Sequence, residues 1–286
     1  MIFNNISFIG AGKVGTSLAK YFQSKGYNIS GFYSKTESSL MDTCNFINTK
    51  SFSNLKDLAF NSDLIFITTP DDMISHIWKE LAVTGNLEGK FISHCSGSLS
   101  SQIFSNINNY GAYEFSLHPL WAFSDKYNSY KNLNSAYFSL EGNNNKLHVM
   151  KDFLNSLSNN YFIIDSSNKS LYHAATVCVS NFILSLIKQG VNYLELCGVD
   201  KIQAENALTP LIMNNLSNFN DMGLINSLTG PVERCDVGTI TSHLNSIPSK
   251  DIELYRKLSI NLLDLAKEKH KEKQYDNLEK ILTEEK

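Results

Sequence analysis

Residues 169–187, KSLYHAATVCVSNFILSLI, set an imidazole, several hydroxyls and an amide into an otherwise apolar run. On a helical wheel at about 100° per residue, with His173 at zero, Lys169 falls near −40°, Thr176 near −60°, Ser180 near −20° and Asn181 near +80°. Polar groups buried without partners cost a few kcal/mol. The stripe is therefore expected either to face a wet cleft or to make helix–helix hydrogen bonds. An imidazole there suits proton transfer, because that side-chain type titrates near neutrality.

Other groups with chemical potential stand at the ends of apolar runs: Thr69–Pro70 after DLIFI, Ser96–Gly97 after KFISHC, and His118–Pro119 after EFSL. In a parallel α/β sheet, ligands bind beyond the carboxyl ends of the strands, so these three pairs are expected to gather around one cleft. His94, inside its strand, is expected to be packed in the fold. A third cluster, SLTGPVERCDVGTITSHL, puts Arg234 and Asp236 in a turn bounded by Gly230–Pro231, with Thr239 and His243 one turn apart on the next helix. Arg234 can clamp a carboxylate or phosphate, or pair with Asp236 to lock the loop.

These groups need elements to hold them. NISFIGAGKVGTSLAKYF reads as strand, glycine turn and helix, with Gly10, Gly12 and Gly15 in G-x-G-x-x-G spacing and Lys13 and Val14 opening the helix. The glycines permit a tight turn and close backbone approach, and the helix N-terminus offers free N–H groups to a pyrophosphate. About 20 residues past the third glycine, an NAD site usually carries an acid. This chain offers Tyr33, Ser34, Lys35 and Thr36 instead, which suit a 2′-phosphate and so NADP(H). Strand and helix patterns alternate to about residue 165, and helices follow. The expected fold is α/β, a Rossmann-type doubly wound, mostly parallel sheet over 1–165, followed by an all-helical domain over 166–286. The charged tail from residue 267 reads as a solvated helix face.

At 286 residues, 42% apolar and 19% charged, the chain has the composition of a soluble globular protein. A net charge of −3 gives no global basic field for nucleic acid or an anionic membrane. The five scattered cysteines lack metal spacing and read as reduced cytoplasmic thiols, so no metal site is expected. No segment reaches 18 unbroken apolar residues, and membrane spanning is not expected. The apolar helical half has more hydrophobic faces than one domain can cover, which points to a homodimer.

In order and spacing, GAGKVGTSLA, TTPDD, HCSGSLSS, SLHPLWAF, LYHAATVCVSNF and LTGPVERCDVGTITSHL resemble a family of bacterial Rossmann-like proteins with a helical C-terminal domain of uncharacterised function. They are commonly labelled NADP-dependent or deazaflavin-dependent-NADP-oxidoreductase-like. The wider clan includes pyrroline-5-carboxylate reductase, ketopantoate reductase, the β-hydroxyacid dehydrogenases and prephenate dehydrogenase. That resemblance implies an NADP(H)-dependent oxidoreductase acting on a small carbonyl, imine or hydroxy acid held between two domains. Several clan members carry a catalytic lysine with an asparagine four positions later on the interdomain helix. Here the helix has His173 with Val177 four positions on, so His173 stands as the substitute proton donor. Ser96 and His118 look like the serine and His-Pro that meet substrate in prephenate-type dehydrogenases. Asn181 would help orient the reacting group. Ser180, Arg234, Asp236 and His243 would hold the rest of the substrate. The last motif departs from the family's Arg-Gly-Asp, with Cys235 in place of the glycine. Missing the clan's lysine favours a rival reading, a catalytically inactive dinucleotide sensor or partner-binding protein.

Overall fold

The computed structural model describes residues 2–284. The chain divides into two compact units, Met1–Asn181 and Phe182–Lys286. The first is built on strands β1 (Ile6–Ile9), β2 (Ile29–Tyr33), β3 (Leu64–Ile67), β4 (Phe91–His94), β5 (Tyr113–Pro119), β6 (Phe138–Gly142) and β7 (Tyr161–Ile163). Their order in the sheet is β2-β1-β3-β4-β5-β6-β7. All neighbours are parallel except β5 and β6. Helices α1 (Lys13–Ser24), α2 (Glu37–Ile47), α3 (Leu55–Phe60), α4 (Asp71–Ala82) and α5 (Leu147–Leu157) connect the strands.

The central strands β1, β3 and β4 are buried along their whole length, which is why ISFI and LIFI read as unbroken apolar runs. Register brings Phe8 opposite Phe32 and Phe66, and the rings stack at 5.2 and 5.3 Å between centroids. Phe22 of α1 closes that cluster 6.2 Å from Phe8. The aromatic wedge ties the first helix to three strands and thereby fixes the glycine turn between them.

After β7 the chain enters α6 (Lys169–Cys178), which belongs to the first unit. The continuous helix expected over 169–187 is interrupted at Val179–Ser180, and α7 (Asn181–Leu196) begins beyond the break. The second unit comprises most of α7 with α8 (Lys201–Asn226), α9 (Pro231–Arg234), α10 (Val237–Ser246), α11 (Ile252–Lys269) and α12 (Asp276–Thr283). Its core is formed by Val232, Ile240, Leu244, Leu263, Tyr275, Leu278 and Leu282. The tail is therefore more than a solvated face: Leu278 and Leu282, one turn apart on α12, are both buried.

Much apolar surface is left open. Phe182 and Leu184 on α7 are 55% and 67% exposed, and Leu211 and Met213 on α8 are 58% and 60% exposed. By length and composition, Ser166–Leu196 is apolar enough to cross a membrane, with a mean hydropathy of 1.5.

Candidate functional site

The glycine turn is shaped by its contacts with β3. Gly10 takes φ +109°, and a Cβ on it would stand 2.9 Å from the backbone of Thr68. A Cβ on Gly15 would meet Thr68 Oγ1 at 2.4 Å and the Gly10 carbonyl at 2.5 Å. These two glycines let α1 press onto the sheet. Gly12, at the N-cap of α1, has ordinary extended backbone and faces open space, with nothing within 4 Å of where its Cβ would be. That leaves the N–H groups of the first helical turn approachable.

Gly10 and Gly12 line a cavity of about 390 Å³ together with Ser34, Lys35, Thr36, Thr69 and Pro70. Thr69 Oγ1 is buried there without a hydrogen-bond partner. An orphaned hydroxyl beside an open glycine turn is what a bound dinucleotide would complete, so the residues present fit the cofactor. Ser34 Oγ accepts the Thr36 N–H at 3.4 Å, and Lys35 Nζ lies 3.8 Å from Glu80. Lys13 is exposed and Val14 packs against the core, so neither side chain lines this cavity.

Pro70 leads straight into α4, whose first residue is Asp71. Ser96 Oγ donates to Asp71 Oδ2 at 2.6 Å and accepts the N–H groups of Ser98 at 3.2 Å and Leu99 at 3.1 Å. Ser98 Oγ also donates to Asp71, at 3.1 Å. This serine is pinned. Behind it, His94 is wholly buried; its Nδ1 accepts the Ser96 N–H at 3.2 Å, so Nε2 carries the proton and donates to the Ser100 carbonyl at 3.2 Å. Burial pushes its imidazolium down to about 4, so His94 is a neutral support for the turn.

At the end of β5, His118 Nδ1 is 2.6 Å from the Tyr172 hydroxyl on α6. Burial first, then the nearby charge of Lys169, pushes His118 down to about 4. The rings of His118 and His173 stand 6.2 Å apart, edge to face. A Cβ on Gly97 would lie 2.5 Å from His173 Nδ1 and 3.1 Å from His118 Nε2. The glycine of the Ser96–Gly97 pair thus makes room for two imidazoles. His173 is held by its own helix as well, with Thr176 Oγ1 3.4 Å from Nδ1.

One turn before His173, Lys169 is 2% exposed. Its Nζ donates to Ser116 Oγ at 2.9 Å and to the Ser96 carbonyl at 3.2 Å. It also lies 5.4 Å from the Tyr172 ring. Burial pushes its ammonium down to about 8, opposed by the charges of Glu141, Cys95 and Asp71. An ammonium brought into that range can release a proton near neutral pH, which an exposed lysine does not do.

Lys169, Tyr172 and Asp71 were not singled out from sequence as site residues. Lys169 did carry a signal, since it falls on the same helical stripe as His173. Ser180 and Asn181, by contrast, are exposed, and the break at Val179–Ser180 removes them from that stripe. Ser180 Oγ donates to the Thr176 carbonyl at 2.7 Å and lies 3.0 Å from Asn181 Oδ1, so the hydroxyl is satisfied within its own turn.

Arg234, Asp236 and His243 belong to the second unit. Asp236 caps α10, accepting the Thr239 N–H at 3.0 Å and its hydroxyl at 2.7 Å, and these bonds hold its carboxyl below the usual range. Arg234 is exposed and forms no ion pair with Asp236, while His243 Nδ1 is 2.7 Å from the Tyr255 hydroxyl. Cys235 takes the left-handed conformation, φ 59° and ψ 41°, that a glycine would occupy freely. The turn therefore keeps a glycine-like shape with a cysteine in it.

A Rossmann-like domain model matches residues 4–119. A second model, described as a domain of unknown function (DUF2520), matches residues 136–262. Among curated proteins, none matches the chain. A Bacteroides fragilis protein provisionally named an NADP oxidoreductase is similar over 92% of this chain and 99% of its own, at 21% identity and a TM-score of 0.71. A Thermotoga maritima protein is similar over 93% and 99%, at 24% identity and a TM-score of 0.74. Pyrroline carboxylate reductase from Plasmodium falciparum, solved with NADP bound, is similar over 93% and 97%, at 15% identity and a TM-score of 0.61. At these identities the likeness establishes the fold.

Proposed function

We propose that this chain, a Rossmann-like domain joined to a DUF2520 domain, is an NADP(H)-dependent oxidoreductase for a small carbonyl, imine or hydroxy-acid metabolite. The observation that carries the proposal is one continuous arrangement within the first unit. The glycine cavity ends at Thr69–Pro70, Asp71 follows and holds Ser96, and Lys169, His118 and His173 stand around Ser96–Gly97. The relatives named for NADP oxidoreductase and pyrroline carboxylate reductase activity support the same assignment.

When bound, the dinucleotide supplies or accepts the hydride. The protein's part is to place the reacting carbon and manage the proton. Lys169 and His173, four residues apart on α6, occupy the spacing of the clan's lysine and asparagine, with His173 in the asparagine's place. Lys169 is then the proton donor, and His173 Nδ1 and His118 Nε2 orient the substrate oxygen or nitrogen. Being neutral, His118 presents Nε2 as one hydrogen-bonding site without a competing charge. Ser96 is fully engaged with Asp71 and shapes the turn. The sensor alternative drew its motive from a missing lysine, and the buried Lys169 on the same helix supports the enzyme reading instead.

The test is a titration of the purified protein with NADPH and NADH, read by nicotinamide fluorescence, followed by a screen of carbonyl and imine substrates with wild type and His173→Ala. Tighter binding of NADPH than NADH and a turnover lowered by His173→Ala are expected. If neither nucleotide binds, the oxidoreductase proposal fails.

The exposed apolar faces of α7 and α8 are assigned to a second copy of the chain. Exposed large apolar side chains recur along both helices, among them Phe182, Leu184, Leu211 and Met213, which is more than singly scattered surface residues. Polar residues such as Lys188, Gln189, Asn192 and Glu205 interrupt these faces, which suits a protein partner better than lipid. Light scattering is expected to give twice the chain mass, and a monomer at micromolar concentration would refute the assignment.

A further inference from the structure

We infer that Lys126 is a phosphate ligand of the dinucleotide, reaching the cofactor from the far end of the loop that His118 begins. The inference rests on the NADP(H) reading above. Lys126 lies in the segment between β5 and β6, outside the glycine turn and the β2 end that dinucleotide motifs point to. Its Nζ donates to Ser39 Oγ at 2.8 Å and to the Ser39 carbonyl at 3.2 Å. Ser39 lines the same cavity as Ser34, Lys35 and Thr36. Its hydroxyl in turn donates to the Ala11 carbonyl at 2.9 Å, inside the glycine turn. Two hydrogen bonds therefore separate the Lys126 ammonium from the turn that would cradle a pyrophosphate.

Three features separate this lysine from an ordinary surface one. It is half-buried, and among the described residues no carboxylate pairs with it at ion-pair distance. Two of its three protons are used on Ser39, which leaves one donor free. Its backbone is also fixed in place. Asp125 Oδ1 accepts the N–H groups of Tyr127 at 2.7 Å and Asn128 at 3.0 Å, and Ser17 Oγ on α1 donates to the Lys126 carbonyl at 3.2 Å. A pre-placed, partly desolvated cation beside an anion-binding turn loses little entropy on meeting a phosphate.

The phosphate is either the 2′-phosphate or the pyrophosphate, and the choice of ligands separates them. NADPH, NADH, 2′,5′-ADP and ADP are titrated against wild type, Lys126→Gln and Lys126→Arg, with the melting temperature of each variant as a control. Lys126→Gln is expected to weaken NADPH about 10- to 100-fold, the range of a lost charge-assisted hydrogen bond, and Lys126→Arg to restore most of it. Weakening confined to NADPH and 2′,5′-ADP assigns the 2′-phosphate; weakening of NADPH, NADH and ADP assigns the pyrophosphate, which 2′,5′-ADP, with its single 5′-phosphate, does not carry. Should Lys126→Gln melt early, Ser39→Ala, which removes the anchor and keeps the charge, is expected to weaken the same ligands. NADPH binding unchanged in a folded Lys126→Gln overturns the inference while leaving the cofactor reading intact. Failure of the wild type to bind either nucleotide overturns both.

Discussion

Lys169→Met is expected to lower turnover about 10²- to 10⁴-fold, the usual contribution of a placed general acid, while NADPH affinity stays within about threefold of wild type. The split follows from where the lysine sits. Its Nζ touches the Ser96 carbonyl, just beyond the carboxyl end of β4, and Ser116, midway along β5, whereas the nucleotide cavity is lined by the glycine turn and the ends of β2 and β3. Methionine fills much of the same volume. The two groups left behind can satisfy each other, since Ser116 Oγ already lies 3.3 Å from the Ser96 carbonyl. A folded, nucleotide-binding, inactive variant is the expected outcome. Turnover within tenfold of wild type would instead make Lys169 a structural cation and leave the proton to His173.

The same substitution has a signature in stability. In the folded protein Lys169 titrates at about 8 against an ordinary 10.5, so between those values the unfolded chain binds a proton that the folded one has released. Stability then rises with pH across that window, because the state binding more protons is the unfolded one. Below about pH 8 both states are charged and the cost of the buried ammonium is present in full. Other lysines and tyrosines titrate nearby, so the measurement is the difference between wild type and Lys169→Met in thermal melts from pH 7.5 to 10.5. The wild type should gain on the variant as pH rises. Turnover should fall over the same range, as the ammonium is lost as proton donor. A difference that stays flat with pH would mean the lysine keeps its ordinary titration.

The positions that sequence made legible are those whose role is local. Gly10 and Gly15 announce their turn because only a residue without a Cβ permits so close an approach between a buried strand and a helix, and Gly12 completes the spacing. Ser96 and His118 could be placed because strand ends in a parallel sheet converge whatever the side chains are. Lys169 shows the opposite case. A lysine at the start of a helix reads as surface, and its burial is decided by Ser116, 53 positions earlier, and Ser96, 73 positions earlier. Nothing local reveals that. The interruption at Val179–Ser180 was equally hidden, because no glycine or proline marks it; Ser180 bonding back to Thr176 is visible only once the helix is built. The wheel drawn through residues 169–187 therefore applies to Lys169, His173 and Thr176 on α6 and does not extend to Ser180 and Asn181, at and beyond the break.

Gly12→Ala and Gly15→Ala should separate the two tasks of the glycine turn. A methyl on Gly15 meets a backbone carbonyl and Thr68 Oγ1 at 2.5 and 2.4 Å, distances no real Cβ adopts, so α1 must lift away from the sheet. A destabilisation of about 2 kcal/mol or more is expected, with nucleotide binding lost as a consequence. At Gly12 the backbone is ordinary and the space beyond is open, so alanine costs the fold only the N-cap preference for glycine over alanine, under about 1 kcal/mol and well below the cost at Gly15. The methyl does, however, occupy the approach to the first N–H groups of α1. NADPH affinity should fall at least about tenfold at nearly unchanged urea midpoint. If Gly12→Ala bound NADPH as wild type does, the open face of the turn would not be where the pyrophosphate lies. The cofactor would then have to reach the cavity from the Ser34–Thr36 side alone.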